Sequence, residues 1–444
     1  MPKKNVTSKS TPPISAAEKA RKLKKAVDLD NYKNFDVHTW SDYPEVNAAI
    51  DALFDELKGL PGQEKLNKRH IKVIVLDLYV SYTEDPSRWV RFYRNEAMYR
   101  AKTRYNKLHI SKKTIRIVDA LFDQGYVEQV KGIYGRTRGN SYMSRMRAKP
   151  ALMDLLEKAH TVQPHMVDLA PDTETIILRS LDPKTGGKTD IGYTDTPATI
   201  RMRKDLVAYN NLLRRTSIDI INYPTNGVVT GKRKVGKKRK RIHLNRRKKF
   251  VRRVFSNGLF DDGGRFYGGW WQSIPKEWRA KTRIDGLPTI EMDYSGLHIV
   301  LLYHLVGIDY WVEIGSDPYH LPSVEKSERM RLLLKQVLLS AINAEDKADA
   351  LKGIRYGIYK DLKNLGWAFE EEVGLETLIN AFTKHHAPIE KYFFTGYGVK
   401  LQNIDADIAE HVINHFTEEN LTVLCIHDSF VIQANKEMGL LDVM

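Results

Sequence analysis

Two aspartates stand where buried strands would break. Asp428 lies in LTVLCIHDSFVIQ (421–433), where one apolar, β-prone run leads into His427-Asp428-Ser429 and another follows at once. Asp293 closes the short β-prone TIEM of TIEMDYSGLHIVLLYHL (289–305), ahead of a Ser-Gly turn and an apolar helix-like stretch. A charge inside such a run costs on the order of several kcal/mol unless it is compensated. The common outcome for a lone aspartate is a helix cap or an arginine partner. Two strands that each deliver an aspartate at a break suit another chemistry. Paired carboxylates can hold two Mg²⁺ ions roughly 3.5–4 Å apart, clamping the attacking and leaving oxygens of a phosphoryl transfer.

Cations for a phosphorylated substrate lie between the two. In DPYHLPSVEKSERMRLLLKQVLLSAIN (317–343), Arg331 and Lys335 are four apart, hence on one helical face, where both can meet a triphosphate. Upstream, GKRKVGKKRKRIHLNRRKKFVRR (231–253) is dense in Lys and Arg with no acid. Such a run serves as a solubilising loop, a localisation signal or a backbone clamp. As a clamp, Lys237, Lys238, Arg239, Arg246 and Arg247 would bind nucleic acid in a strongly salt-dependent way.

The order of these stretches resembles the family A DNA polymerases (the DNA polymerase I group) and the related phage-type single-subunit RNA polymerases. DYSGLH is similar to the first palm motif and HDS to the last. The resemblance implies that Asp293 and Asp428 ligate two Mg²⁺ (or Mn²⁺) and that His427 lies near the primer terminus. It also implies that Arg331 and Lys335 meet the incoming triphosphate. DDGGRFYGGWWQSIP (261–275) resembles the Gly-Arg motif, with Arg265 on primer–template or triphosphate, and LQNIDADIAEHVINHF (401–416) the Gln motif, with Gln402 at the minor-groove side. Where the family carries Tyr-Gly this chain reads Asn343-Ala344, at the sugar- and base-selecting position. His298, five residues after the first aspartate, takes the place of a bulky Glu that excludes the ribose 2′-hydroxyl. Ser429 replaces the usual Glu of the DNA enzymes and matches HDSF of the RNA enzymes. The matches cover about 255–435. They imply a template-directed nucleotidyltransferase, a DNA-directed DNA polymerase first and an RNA polymerase or primase second, acting on DNA primer–template and nucleoside triphosphates. A non-catalytic replication protein is the reading from another class. In that family more palm structure follows the last motif than KEMGLLDVM (436–444), so a trimmed lineage or a fragment is implied.

The elements that must position these residues can be read from pattern. Residues 1–34 are expected as a basic disordered tail, followed by a first domain over 35–156. There KRHIKVIVLDLYVSY reads as a helix. In HISKKTIRIVDALFDQGYVEQV (109–130), Ser111 is expected to cap a helix with an Ile115, Val118, Leu121, Phe122 stripe stopped by Gly125. A strand, a Gly- and Arg-rich loop with Arg136 and Arg138, and another strand follow. That order resembles a winged helix-turn-helix, which would contact DNA through the second helix and wing. A linker and basic, thumb-like helical region is expected over 157–254, then palm and fingers over 255–444. The fold class expected is α+β: an antiparallel palm sheet with helical fingers, preceded by a winged helix.

Composition agrees with this partner class. Lys+Arg number 71 against 55 Asp+Glu, a net charge of +16, which points to a polyanion, nucleic acid before a membrane surface. A hydrophobic share of 42% with 28% charged residues is that of a globular chain rather than a disordered one. The single cysteine, Cys425, excludes an internal disulfide, reads as a core residue and suits a reducing cytoplasm. No stretch is apolar enough to span a bilayer and no signal peptide is evident, so no membrane association is expected. Trp270-Trp271 read as core, and His385-His386 as surface. The combination of a small polymerase and a winged helix suggests a phage, plasmid or other mobile element.

Overall fold

The computed structural model describes residues 28–57, 59–99, 103–133, 142–183, 186–224, 227–230, 240–242, 244–357 and 374–444. These form two compact units. One runs to Glu174, with residues 227–228; the other runs from Thr175 to Pro224 and from Val229 onward. The chain is α+β, and its sheets are largely antiparallel.

In the first unit, strands β1 (Tyr32–Asn34), β2 (Trp89–Arg91), β3 (Val127–Val130) and β4 (Arg145–Ala148) form a sheet in the order β1-β2-β4-β3. Helices α1 (Pro44–Glu56), α2 (Glu64–Glu84) and α3 (Lys113–Asp123) cover it. Helix α2 is buried on every side from Ile71 to Tyr79: Ile71, Val73, Ile74, Val75, Leu76 and Tyr79 are all at 0% exposure, with the charged Lys72 and Asp77 buried among them. Helix α3 buries Val118 and Leu121 as expected, but the buried face is completed by Thr114 and Ile117 rather than by Ile115 and Phe122, and Phe122 is exposed. Ser111 stands just before the boundary residue Lys112; its hydroxyl accepts from Lys113 N at 3.4 Å and also meets His70 Nε2 at 3.0 Å. Gly125, at φ 83°, ends the helix as its type requires.

Two expected boundaries move. Strand β1 falls within the span read as a disordered tail, because Tyr32 and Asn34 pair with Trp89 and Arg91 across a parallel ladder. The part of the 157–254 span read as a linker is built structure, and a helix forms where the basic helical region is expected. Val162 and Val167 join the first core. Strand β5 (Ile176–Leu181) and helix α4 (Pro197–Arg215) belong to the second unit. Thr196 caps α4 through its hydroxyl on Thr199 N at 3.2 Å, with Pro197 at the first helical position.

Two larger sheets lie in the second unit. In one, β6 (Lys188–Asp190), β5, β8 (Arg252–Phe255) and β9 (Gly263–Tyr267) run in that spatial order, with β5 and β8 parallel. The other is antiparallel throughout. Its strands are β7 (Ile218–Ile220), β10 (Thr282–Ile284), β11 (Leu287–Asp293), β12 (Leu424–Ile426) and β13 (Ser429–Gln433), in the order β12-β13-β11-β10-β7. Helices α5 (Leu297–Leu305), α6 (Glu328–Asn343), α7 (Lys347–Gly357) and α8 (Leu375–His385) share a core of Ile299, Leu302, Leu334, Val337, Ile354 and Phe382. Helix α9 (Gly398–Glu418) packs against β9 and α4. Among the described residues no helix is long and apolar enough to cross a membrane.

Candidate active site

Strands β11, β13 and β12 bring the two aspartates together. In the β11–β13 ladder Asp293 faces Ser429, and in β12–β13 Ile426 faces Ser429, so His427-Asp428 are the two residues of a tight hairpin turn. Such turns favour positive φ at their first central residue. His427 supplies it at φ 60°, a conformation that costs a non-glycine residue roughly 1–2 kcal/mol. Tyr294 N reaches the Asp428 carbonyl at 3.5 Å, which ties the end of β11 to that turn.

Neither the Asp293 nor the Asp428 carboxylate makes a hydrogen bond or ion pair among the described residues. Burial, and next the charge of Asp428, raise the pKa of Asp293, while Lys335 and Lys276 pull it back. A neighbouring carboxylate that disfavours the ionisation of Asp293 makes the pair a suitable donor set for a cation. His427 is pushed the other way: burial, then the Arg265 charge, lower its pKa against Asp428 and Asp405. Its buried Nδ1 has no hydrogen-bond partner among the described residues. Its ring meets Tyr267 edge-on, with centroids 5.2 Å apart.

Arg331 and Lys335 lie on one face of α6, as expected, and both address Tyr319. The Arg331 guanidinium is 5.1 Å and Lys335 Nζ 5.8 Å from its ring centre. Arg331 Nε also bonds Asp317 Oδ2 at 2.6 Å, so one of the two cations is already partnered. Burial pushes the Tyr319 phenol up to about 12, with Arg331 lowering it and Asp428, Asp317 and Asp293 raising it. Lys335 thus acts on Asp293, and Tyr319 is influenced by both carboxylates.

Arg265 is not left open for a substrate. Its Nε bonds both oxygens of Asp405 at 3.0 Å, its Nη2 bonds Asp405 Oδ2, and His298 Nε2 lies 3.4 Å away. Asp405 is 2% exposed and also meets His298 at 3.2 Å. The hydrogen bonds and charge of Asp405 hold the Arg265 pKa above its ordinary value despite burial, helped by Asp428. Gln402 lies three residues before Asp405 on α9, and so on the same face.

Three expected positions serve the fold locally. Ser429 is buried, and its hydroxyl donates to the Ile426 carbonyl at 3.2 Å inside the hairpin. Asn343 donates to the Leu339 carbonyl at 2.7 Å and lies against Gly398. Arg246 pairs with Asp219 at 2.6 Å on the surface. Arg247 is described, while Lys237, Lys238, Arg239, Arg136 and Arg138 lie outside the described residues. Trp270, Trp271 and Cys425 are core, and Trp271 Nε1 donates to the Cys425 carbonyl at 3.0 Å. Of the histidine pair, His386 is buried rather than superficial, because the Tyr303 hydroxyl meets its Nδ1 at 3.0 Å.

Sequence reasoning missed Asp405, Tyr319 and Lys276. The first two stand in stretches singled out for other residues, and no local spacing marks either as part of the site. Comparison with protein-family models, curated proteins and solved structures finds no match.

Proposed function

We propose that the second unit is a template-directed nucleotidyltransferase, with a DNA polymerase as the leading form. The observation that carries this reading is the unpaired Asp293–Asp428 couple at adjoining strand ends, faced by the Lys335–Tyr319–Arg331 cluster. The antiparallel sheet beneath the couple and the helices α5 to α8 are compatible with palm and fingers. The helix–strand–helix–hairpin order of the first unit is compatible with a winged helix.

The donor set suits Mg²⁺ or Mn²⁺. No group of three or more His, Cys, Asp or Glu gathers as a closed metal cage among the described residues. Mg²⁺ commonly binds through one or two carboxylates plus substrate phosphates and water. When bound by Asp293 and Asp428, two such ions would supply Lewis-acid stabilisation of charge at the reacting phosphorus. Lys335 neutralises charge on the triphosphate of an incoming nucleotide, and the Tyr319 ring seats both cations of α6. Asp405 keeps Arg265 charged and fixed beside His427, so that Arg265 acts by orientation and field. His298, held in the same network, presents a bulky group at the position where a sugar would be selected, which favours deoxynucleotides.

Asp293→Asn and Asp428→Asn should each abolish Mg²⁺-dependent incorporation on a primed template. Normal incorporation by either variant would overturn the proposal. Ser429, which stands where the DNA enzymes carry Glu and matches HDSF of the RNA enzymes, supports RNA or primer synthesis as the second form. Incorporation of dNTP against NTP on primed and unprimed templates separates the two.

A further inference from the structure

The first unit holds an anion-demanding cavity that the nucleotidyl-transfer reading does not use. It is a partly open pocket of about 610 Å³, lined by residues of β1, β2, β4 and their extensions, among them Tyr32, Arg91, Tyr93, Tyr142 and Arg145. That volume falls within the range of small-ligand sites.

Arg91 and Arg145 are directly opposed in the β2–β4 ladder. Like charges in that position repel, so the placement asks for a counter-charge. Among the described residues neither guanidinium forms an ion pair with a carboxylate. Arg145 is only 5% exposed; its Nη1 bonds the Met143 and Ser144 carbonyls, and its Nε has no partner. Both guanidiniums instead lie over the Tyr32 ring, at 5.2 Å for Arg91 and 4.3 Å for Arg145. Burial lowers the Arg145 pKa first, and Arg91 lowers it further, while Tyr32 and Asp30 raise it. The third arginine of the lining, Arg94, is committed to Asp119 at 2.6 Å. Asp30 is the one carboxylate of the lining. A buried cation without a paired anion is costly unless a ligand neutralises it.

We infer that this cavity binds a nucleotide, its phosphate on Arg91 and Arg145 and its base against the lining tyrosines. The aromatic half of the argument is Tyr93, which is 41% exposed, together with Tyr142. Ring faces beside guanidiniums accept a base by stacking whatever its identity. The same chemistry is presented by a free nucleotide and by the terminal nucleotide of a single strand. The inference is independent of Asp293 and Asp428.

The test uses the full chain in EDTA. AMP and inorganic phosphate are titrated calorimetrically, and a 5′-phosphorylated single-stranded oligonucleotide is followed by fluorescence anisotropy. The variants are Arg91→Gln and Tyr93→Ala, both at partly exposed positions, with Arg145→Gln added if circular dichroism shows it folded. The expected result is about tenfold weaker binding in Arg91→Gln and in Tyr93→Ala. Weakening for AMP assigns a free-nucleotide site. Weakening confined to the oligonucleotide assigns a strand end. Unchanged affinity in both variants, no binding by the unaltered chain, or inorganic phosphate binding as tightly as AMP overturns the inference.

Discussion

Replacing Asp405 by alanine removes the carboxylate that both Nε and Nη2 of Arg265 bind. The Asp405 side chain is 0% exposed and that of Arg265 18%, so solvent cannot replace the lost partner. A charge-assisted hydrogen bond contributes roughly 1.5–3 kcal/mol, but bonds sharing one partner are not additive. The better guide is the cost of stranding one member of a buried ion pair, about 3–5 kcal/mol. Asp405→Ala should therefore lower the unfolding free energy of the second unit by about 3–5 kcal/mol at neutral pH, in the same range as that cost. The unpaired Arg265 charge would also act more strongly on His427, whose pKa it already lowers, and so lower it further. The assay is urea titration with pulsed hydrogen exchange, read by mass spectrometry on peptides from β9 and α9. A double variant, Arg265→Met with Asp405→Leu, provides the control. Apolar residues in place of a whole buried pair are often neutral or better, so it should recover most of the loss. A loss below about 1 kcal/mol in Asp405→Ala, or no recovery in the double variant, would refute the argument that Asp405 is the buried counter-ion.

The carboxylate couple should govern a pH dependence. The folded pKa of Asp293 is raised, so the stability it contributes is present below the ordinary carboxylate range and lost as pH rises through the folded value. Asp293→Asn should therefore raise the Tm at neutral pH and flatten its fall from acid to neutral in scanning calorimetry; a lowered Tm would contradict this. Millimolar MgCl₂ should raise the Tm of the unaltered chain but not that of the Asp293→Asn, Asp428→Asn double variant. Gly296 stands at φ 65°, and a Cβ there would lie 2.5 Å from Pro318 Cγ. Gly296→Ala should cost roughly 1–2 kcal/mol in backbone strain alone, with displacement of the 317–319 loop added. Urea unfolding would measure it, and an unchanged midpoint would show that the loop yields freely.

Local pattern was enough for the parts of the site that depend on near neighbours in the chain. The apolar runs flanking His427-Asp428 imply a hairpin, and TIEMD implies a strand ending in a carboxylate. The four-residue spacing of Arg331 and Lys335 places them on one face of α6, and these elements form where the residues indicate. Side-chain period and turn chemistry act over a few residues, so they are written in the sequence itself. The partners of these groups are not. Arg265 and Asp405 are 140 residues apart, and neither is marked by its neighbours as half of an ion pair. Tyr319 becomes the seat of two cations only when α6 packs over the 317–319 loop, and the Ser429 hydroxyl turns inward only because the hairpin is tight. The opposed Arg91 and Arg145, 54 positions apart in the chain, likewise meet only through strand register. The sequence by itself thus determined which carboxylates stand at strand ends. Tertiary packing decided which charges neutralise one another and which are left for a ligand, because burial and long-range pairing exist only once the chain has closed on itself.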